Sequence, residues 1–148
     1  MKILLAADHA GFELKNQIKE FLISEGFEVE DMGAHTFNKE DDYPEIMVPL
    51  AMRILSDNNL KGIIFGKSGQ GEAMIVNRFP GIRAIVYHGK NLEIIRLGRE
   101  HNDSNILSIG AGFVEFEEAR EAVRLWISTQ FSNDERHIRR IEQMDNIE

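Results

Sequence analysis

Short apolar runs alternate with helix-spaced apolar stripes along the whole chain, and this alternation restricts the fold more than any other feature. Lys2 to Ala7 is an apolar run suited to a strand buried on both faces. Leu14, Ile18, Phe21 and Leu22 then recur at helical spacing, and Gly26 stands where a glycine ends a helix. Residues 27–32 alternate apolar with acidic side chains, the pattern of a strand near a sheet edge. Tyr43-Pro44 opens a helix that reaches about Ser56, with the proline in the first turn. Further strands are expected over residues 62–65, 82–87 and 105–109. Helices are expected from about Ala73, over residues 92–100, through the stripe Ala119, Val123, Trp126 and Ile127, and from about Asp134 onward. Strands that alternate with helices form a parallel sheet covered on both faces, so the fold class is α/β with five parallel strands. The 148 residues carry no repeat and no linker, which predicts a single domain over 1–148.

The formal net charge of -8 disfavours nucleic acid as a partner, since that role needs a basic face. The chain has no cysteine, which removes disulfides, thiolate metal sites and a thiol nucleophile. The apolar start at residues 3–7 is too short for a signal peptide, and no window approaches the roughly 18 apolar residues of a membrane helix. A cytoplasmic location without membrane contact is the expectation.

Ligands of open parallel sheets bind beyond the carboxyl ends of the strands, so polar residues at element ends are the candidates. Gly66-Lys67-Ser68-Gly69-Gln70-Gly71-Glu72 follows the third apolar run. Its three glycines allow a sharp turn that points several N–H groups into one concavity, which suits an oxyanion or a phosphate. A carboxylate beside such a cradle would repel an anion, but it is apt if it must take a proton from the ligand. A plain strand-to-helix turn also accounts for these residues, with Glu72 favourable near the positive helix end. The glycine order matches neither the dinucleotide fingerprint nor a P-loop.

Three other groups stand at element ends. Asp8-His9-Ala10-Gly11 follows the first strand and reads as a strand-end capping pair or as binding residues. His101-Asn102-Asp103 ends the helix before the fifth strand, where a histidine can cap the helix or move protons. Arg136 and Arg140 are four apart and leave one helical face together, either to clamp a phosphate or to pair with acids such as Glu142 and Asp145. Tyr43 reads as a packed or loop aromatic, and Trp126 as core. His35 and His88 lack ligand spacing, so no metal site is expected.

Taken together, Ala7 to Lys15, Asp42-Tyr43-Pro44, Gly66 to Glu72, Arg99 to Asp103 and Arg136 to Arg140 resemble the type B ribose-5-phosphate isomerases and the related galactose-6-phosphate isomerase subunits. The resemblance covers essentially the whole chain and implies a three-layer Rossmann-like domain. It also implies aldose–ketose isomerisation of a sugar phosphate, with ribose 5-phosphate and ribulose 5-phosphate as the leading pair. In one variant of the family the base is a cysteine at the position of Gly66, and in the other a glutamate at the position of Glu72. This chain resembles the second. The resemblance further implies His101 in ring opening, and Asp8, His9 and Asn102 on the sugar. Ser68, Gly69, Gln70 and Gly71 would hold the reacting oxygens, and Arg136 and Arg140 the phosphate.

No cofactor is implied. The expected assembly is a homodimer with shared active sites, which can pair into a tetramer. Two departures from the pattern stand out. Gly112 occupies the place of a usual arginine, and Lys67 offers a replacement charge. The segment from Tyr87 to Glu100 is about two residues longer than in many relatives and is expected near the site. Isomerisation of a six-carbon sugar phosphate and a non-catalytic phosphosugar-binding or regulatory module are the other functions this sequence accommodates.

Overall fold

The computed structural model describes residues 1–147. Strand β1 (Lys2–Ala7) is followed by a 3-10 turn (His9–Gly11), helix α1 (Phe12–Ser24) and strand β2 (Glu28–Asp31). Helix α2 (Tyr43–Ser56), strand β3 (Leu60–Gly66) and helix α3 (Gln70–Val76) come next. Strand β4 (Ala84–Tyr87), helix α4 (Glu93–Glu100), strand β5 (Ile106–Gly110), helix α5 (Phe116–Ser128) and helix α6 (Glu135–Asp145) complete the chain. The expected elements are present, with shifted boundaries. Helix α3 starts at Gln70 rather than near Ala73, which brings Gln70, Gly71 and Glu72 into its first turn. Strand β4 starts at Ala84 rather than at residue 82.

All five strands are parallel, in the order β2-β1-β3-β5-β4. This is the expected Rossmann-like layered α/β sheet, in which β5 inserts between β3 and β4. Alternation along the strands sorts the core into two layers. Ile3, Leu5, Ala7, Ile63 and Phe65 face α1, α4 and α5, whereas Leu4, Ala6 and Ile64 face α2 and α3. Strand β2 is an edge, which suits its three acidic residues in four, and none of its residues is buried.

Helix ends follow the local chemistry. Gly26 adopts φ 89°, the Gly26 N–H donates to the Ile23 carbonyl, and the Phe27 N–H donates to the Leu22 carbonyl. These two bonds satisfy the carbonyls that the end of α1 leaves free. Lys15 is wholly buried, and its ammonium donates to Asp31 Oδ1 at 2.9 Å and to the Ala34 carbonyl at 2.5 Å. It thereby ties α1 to the chain beyond β2. Trp126 is core, as expected, and its indole N–H donates to Ser104 Oγ at 2.9 Å. No described helix is long and apolar enough to cross a membrane.

The chain leaves β1 for β2 on one side and then returns across the sheet to β3 on the other. The carboxyl ends of β1 and β3 are therefore neighbours at a topological switch point, where such sheets open a crevice.

Candidate active site

Two of the four polar groups meet at that crevice. Asp8 leaves β1 and caps the 3-10 turn, where its Oδ1 accepts the N–H groups of Ala10 at 3.0 Å and Gly11 at 3.2 Å. On the neighbouring strand, Gly66 ends β3, and the loop turns at Gly69 with φ 78°, a conformation that favours glycine. The end of β5 supports this loop. Ser108 Oγ donates to the Gly69 carbonyl at 2.6 Å, and the Ala111 N–H donates to the Gly66 carbonyl at 2.8 Å. The turn thus delivers Ser68, Gly69, Gln70 and Gly71 to the start of α3, with their N–H groups at the positive end of a short helix.

Glu72 folds back from that first turn over Gly66. A Cβ placed on Gly66 would lie 1.9 Å from Glu72 Oε1, 2.1 Å from Cδ and 2.5 Å from Oε2. Only a residue without a side chain leaves room for the carboxylate there. The two bases that the family resemblance implies, a cysteine at 66 or a glutamate at 72, would compete for one volume. Glu72 is 4% exposed, and burial raises its pKa above the ordinary carboxylate value. The carboxylate's own backbone N–H opposes the shift, while the charge and proximity of Asp8 reinforce it. A buried carboxylate with a raised pKa and no cationic partner is poised to accept a proton.

Sequence reasoning passed over two residues at this edge. Asp41 binds His9 twice: its Oδ1 lies 2.7 Å from His9 Nδ1 and accepts the His9 N–H at 3.2 Å. The contact raises the His9 pKa, with a further push from the Asp8 charge, and the Nδ1 hydrogen bond leaves Nε2 free. Asp41 lies 32 residues from His9, so no local spacing signals the pair. Tyr43, read from sequence as a packed or loop aromatic, lays its ring on Gly71, where a Cβ would meet Tyr43 Cζ and the hydroxyl at 2.7 Å. The signal for its place here is Asp42-Tyr43-Pro44, one of the groups that carry the family resemblance.

Asp8, His9 and Asp41 each bring one ligand-type atom within 4.8 Å of the others, an arrangement not foreseen from sequence. Their hydrogen bonds account for this closeness: Oδ1 of Asp8 serves two backbone N–H groups, and His9 Nδ1 serves Asp41.

Lys67 is exposed on the glycine loop, and its stem lies over Gly112. A Cβ at Gly112 would meet Lys67 Cγ at 3.1 Å, and the Gly112 N–H donates to the Lys67 carbonyl at 2.9 Å. The lysine therefore occupies space that a side chain at 112 would use. The longer segment after β4 lies one strand further out, because β5 intervenes. Its His88 ring touches Phe113 with centroids 6.2 Å apart, and the Lys90 N–H donates to Glu118 Oε1 at 2.9 Å.

The other two polar groups lie at the opposite end of the strands. Helix α4 runs back from the carboxyl end of β4, and His101 caps its terminus just before β5 begins at Ile106. Since Gly66 pairs with Gly110 at the far end of β5, that strand's five residues separate His101 and Asn102 from the glycine loop by about 17 Å. Helix α6 joins them there. The His101 and His137 rings lie 4.3 Å apart, and the Ser132 N–H donates to the Glu100 carbonyl at 3.0 Å. Arg136 and Arg140 are exposed, and among the described residues neither is within ion-pair distance of a carboxylate. Asp145, one of the acids that could have neutralised them, is engaged by Arg83 instead. His137 is buried, accepts or donates at Ser132 Oγ over 2.7 Å, and has its pKa lowered by burial and by the nearby His101 and Arg136 charges.

Comparison with known proteins agrees with this architecture. The ribose/galactose isomerase family model matches residues 3–144. The ribose-5-phosphate isomerase B of Mycolicibacterium paratuberculosis is 37% identical over 142 residues, 96% of this chain and 88% of that protein. The Escherichia coli ribose-5-phosphate isomerase B is 34% identical over 147 residues, 99% of this chain and 96% of that protein. Among solved structures, a ribose 5-phosphate isomerase from Thermotoga maritima superposes with a TM-score of 0.92 at 37% identity, covering 99% of this chain and 98% of that one. Ribose-5-phosphate isomerase B from Mycoplasma genitalium, solved with bound ribulose 5-phosphate, gives a TM-score of 0.92 at 30% identity over 97% of this chain and 93% of that one. With the sheet, the motifs and the match all spanning nearly the whole length, this chain belongs to the ribose/galactose isomerase family.

Proposed function

We propose that this chain, acting as one domain over residues 1–148, interconverts ribose 5-phosphate and ribulose 5-phosphate with Glu72 as the base. The observation that carries the assignment is the buried Glu72 carboxylate, seated over Gly66 with a raised pKa beside the N–H groups that open α3. Ring opening comes first: the hydroxyl on C1 gives its proton to water while His101 supplies one to the ring oxygen. Glu72 then removes the proton from C2, and the electron pair moves through the C1–C2 bond onto the aldehyde oxygen to give an enediolate. N–H groups of Ser68 to Gly71 hold the developing oxyanion, a preorganised stabilisation that needs no rearrangement during the reaction. The hydroxyl on C2 then passes its proton to the oxygen on C1, and return of the first proton from Glu72 to C1 leaves the carbonyl at C2. Asp8 and His9 hold sugar oxygens, Asn102 orients the chain, and Arg136 and Arg140 grip the phosphate with Lys67 as a further charge. The proposed chemistry needs neither a metal ion nor an organic cofactor.

This reading requires a second copy. Residues about 17 Å apart along the sheet cannot act on one five-carbon substrate, so His101, Asn102 and the two arginines would serve the glycine loop of a partner in a homodimer. Exposed Ile138 and Met144 on α6 and Met74 on α3 offer apolar contact area, and dimers could pair into tetramers. A cytoplasmic enzyme of sugar-phosphate metabolism fits these features.

The direct test follows ribose 5-phosphate turning into ribulose 5-phosphate with a chelator present, beside six-carbon sugar phosphates. Conversion by the wild type, and none by the Glu72→Gln variant, is expected; tight phosphosugar binding without turnover by the wild type would indicate a binding module. Mixing inactive Glu72→Gln and His101→Ala chains should restore activity, because one site of each mixed dimer carries neither lesion. No recovery, despite subunit exchange, would exclude shared sites.

A further inference from the structure

Arg83 lies at the start of β4, remote from the glycine loop, with a side chain only 14% exposed. Its Nε donates to the carbonyl oxygens of Asn102 at 2.9 Å and Asp103 at 3.2 Å, and its Nη2 to the latter at 3.1 Å. Its Nη1 donates to the Gly81 carbonyl at 3.4 Å and to Asp145 Oδ2 at 3.3 Å. The other oxygen of Asp145 accepts the Gly81 N–H at 3.2 Å. One planar fork thus joins the turn before β4, the loop before β5 and the last turn of α6. Lysine could not reproduce this, since its single ammonium cannot span carbonyls and a carboxylate lying in different directions.

The joined segments are those that carry the substrate residues at the opposite end of the strands. Asn102 and the preceding His101 belong to one, and Arg136 and Arg140 to the other. Within its own chain helix α6 has little else to hold it: His137 is its only buried residue. Anchorage by apolar burial is therefore weak, and the Arg83–Asp145 contact fixes the end of α6 that the His101–His137 stack does not reach. Arg83 lines a cavity of about 400 Å³ together with Lys61, Arg99, Asp103 and Asp145. The cavity does not read as a second anion site, because both guanidiniums are already committed. Arg99 donates to Asp103 Oδ1 and to the carbonyls of Ser104 and Thr129.

We infer that Arg83 is a positioning residue that locks the His101–Asn102 loop and the Arg136/Arg140 helix into one rigid half-site for the sugar phosphate. The inference rests on the substrate roles given to those four residues under the proposed function. Arg83 touches no substrate and acts only through the segments it joins.

The test uses the full-length protein and ribose 5-phosphate kinetics with Arg83→Lys and Asp145→Asn. Asp145→Asn frees the end of α6 and should raise KM about three- to tenfold with little change in kcat, as expected when positioning rather than chemistry is lost. Arg83→Lys should raise KM similarly and also lower kcat, because it loosens His101 as well. In an Arg136→Ala background, Asp145→Asn should add less to KM than it does alone, since part of its effect runs through the arginine that is no longer there. Wild-type KM for a folded Asp145→Asn protein, or a fully additive effect in the Arg136→Ala background, would overturn the inference. Should Arg83→Lys not fold, the Asp145→Asn cycle decides alone. An unchanged KM for Arg136→Ala itself would instead remove the phosphate assignment, and the positioning role would fall with it.

Discussion

Replacing Gly66 with alanine probes the catalytic geometry with a single methyl group. Gly66 ends β3 at a φ open to any residue, so alanine brings no backbone strain and tests space alone. The new Cβ would meet three Glu72 carboxylate atoms at 1.9, 2.1 and 2.5 Å, whereas real Cβ contacts essentially never fall below 3.0 Å. The carboxylate must therefore move by at least about 1.1 Å. Because the clash falls on the far end of a flexible side chain, rotation of Glu72 can absorb it, and the stability cost should stay at the low end of the about 1–3 kcal/mol typical of overpacking. Activity should suffer far more. A displacement of about 1 Å between a base and its proton costs on the order of 10²-fold, equivalent to about 2.7 kcal/mol of barrier. The assay is steady-state ribose 5-phosphate isomerisation, with calorimetry on the same sample. A drop in kcat of roughly 10²-fold at nearly constant KM, with Tm within a few degrees of wild type, is expected. A folded Gly66→Ala protein with wild-type kcat would refute the claim that the Glu72 carboxylate must occupy the space over residue 66.

Three further outcomes follow from the same site. Burial and the Asp8 charge place the folded pKa of Glu72 above its unfolded value, so this group's contribution to stability falls as pH rises through that window. Glu72→Gln should therefore raise Tm at neutral pH while lowering kcat by about 10²–10⁴-fold, and a lower Tm would contradict the electrostatic account. Asp8→Asn removes a like charge, so the acidic limb of the kcat/KM profile should move to lower pH whatever its height; a limb that stays put would mean burial alone sets it. Lys67→Gln should raise KM about tenfold, the loss of one charge-assisted contact, and an unchanged KM would leave the missing arginine at Gly112 uncompensated.

Much of this protein is legible in the sequence because its signals are local. The period of apolar residues shows where strands and helices lie, since each element must bury one face whatever its neighbours. Gly26 announces the end of α1, and Pro44 the start of α2. The motif residues resemble one isomerase family closely enough to single out Glu72, and the absence of cysteine removes the competing base. Other features depend on contacts between distant segments, which no local pattern encodes. Insertion of β5 between β3 and β4 is a choice among crossovers that leave the same apolar pattern. The His9–Asp41 pair spans 32 residues, and Arg83 reaches Asp145 across 62.

The sequence by itself determined the alternating α/β architecture, the family, and the carboxylate at the head of α3. The tertiary structure decided where that carboxylate points, because only the approach of α3 to β3 sets it above Gly66 and excludes water from it. It also decided that the candidate residues separate into two groups. A parallel strand has its two ends about 17 Å apart, and the chain sends its buried carboxylate to one end and its arginines to the other.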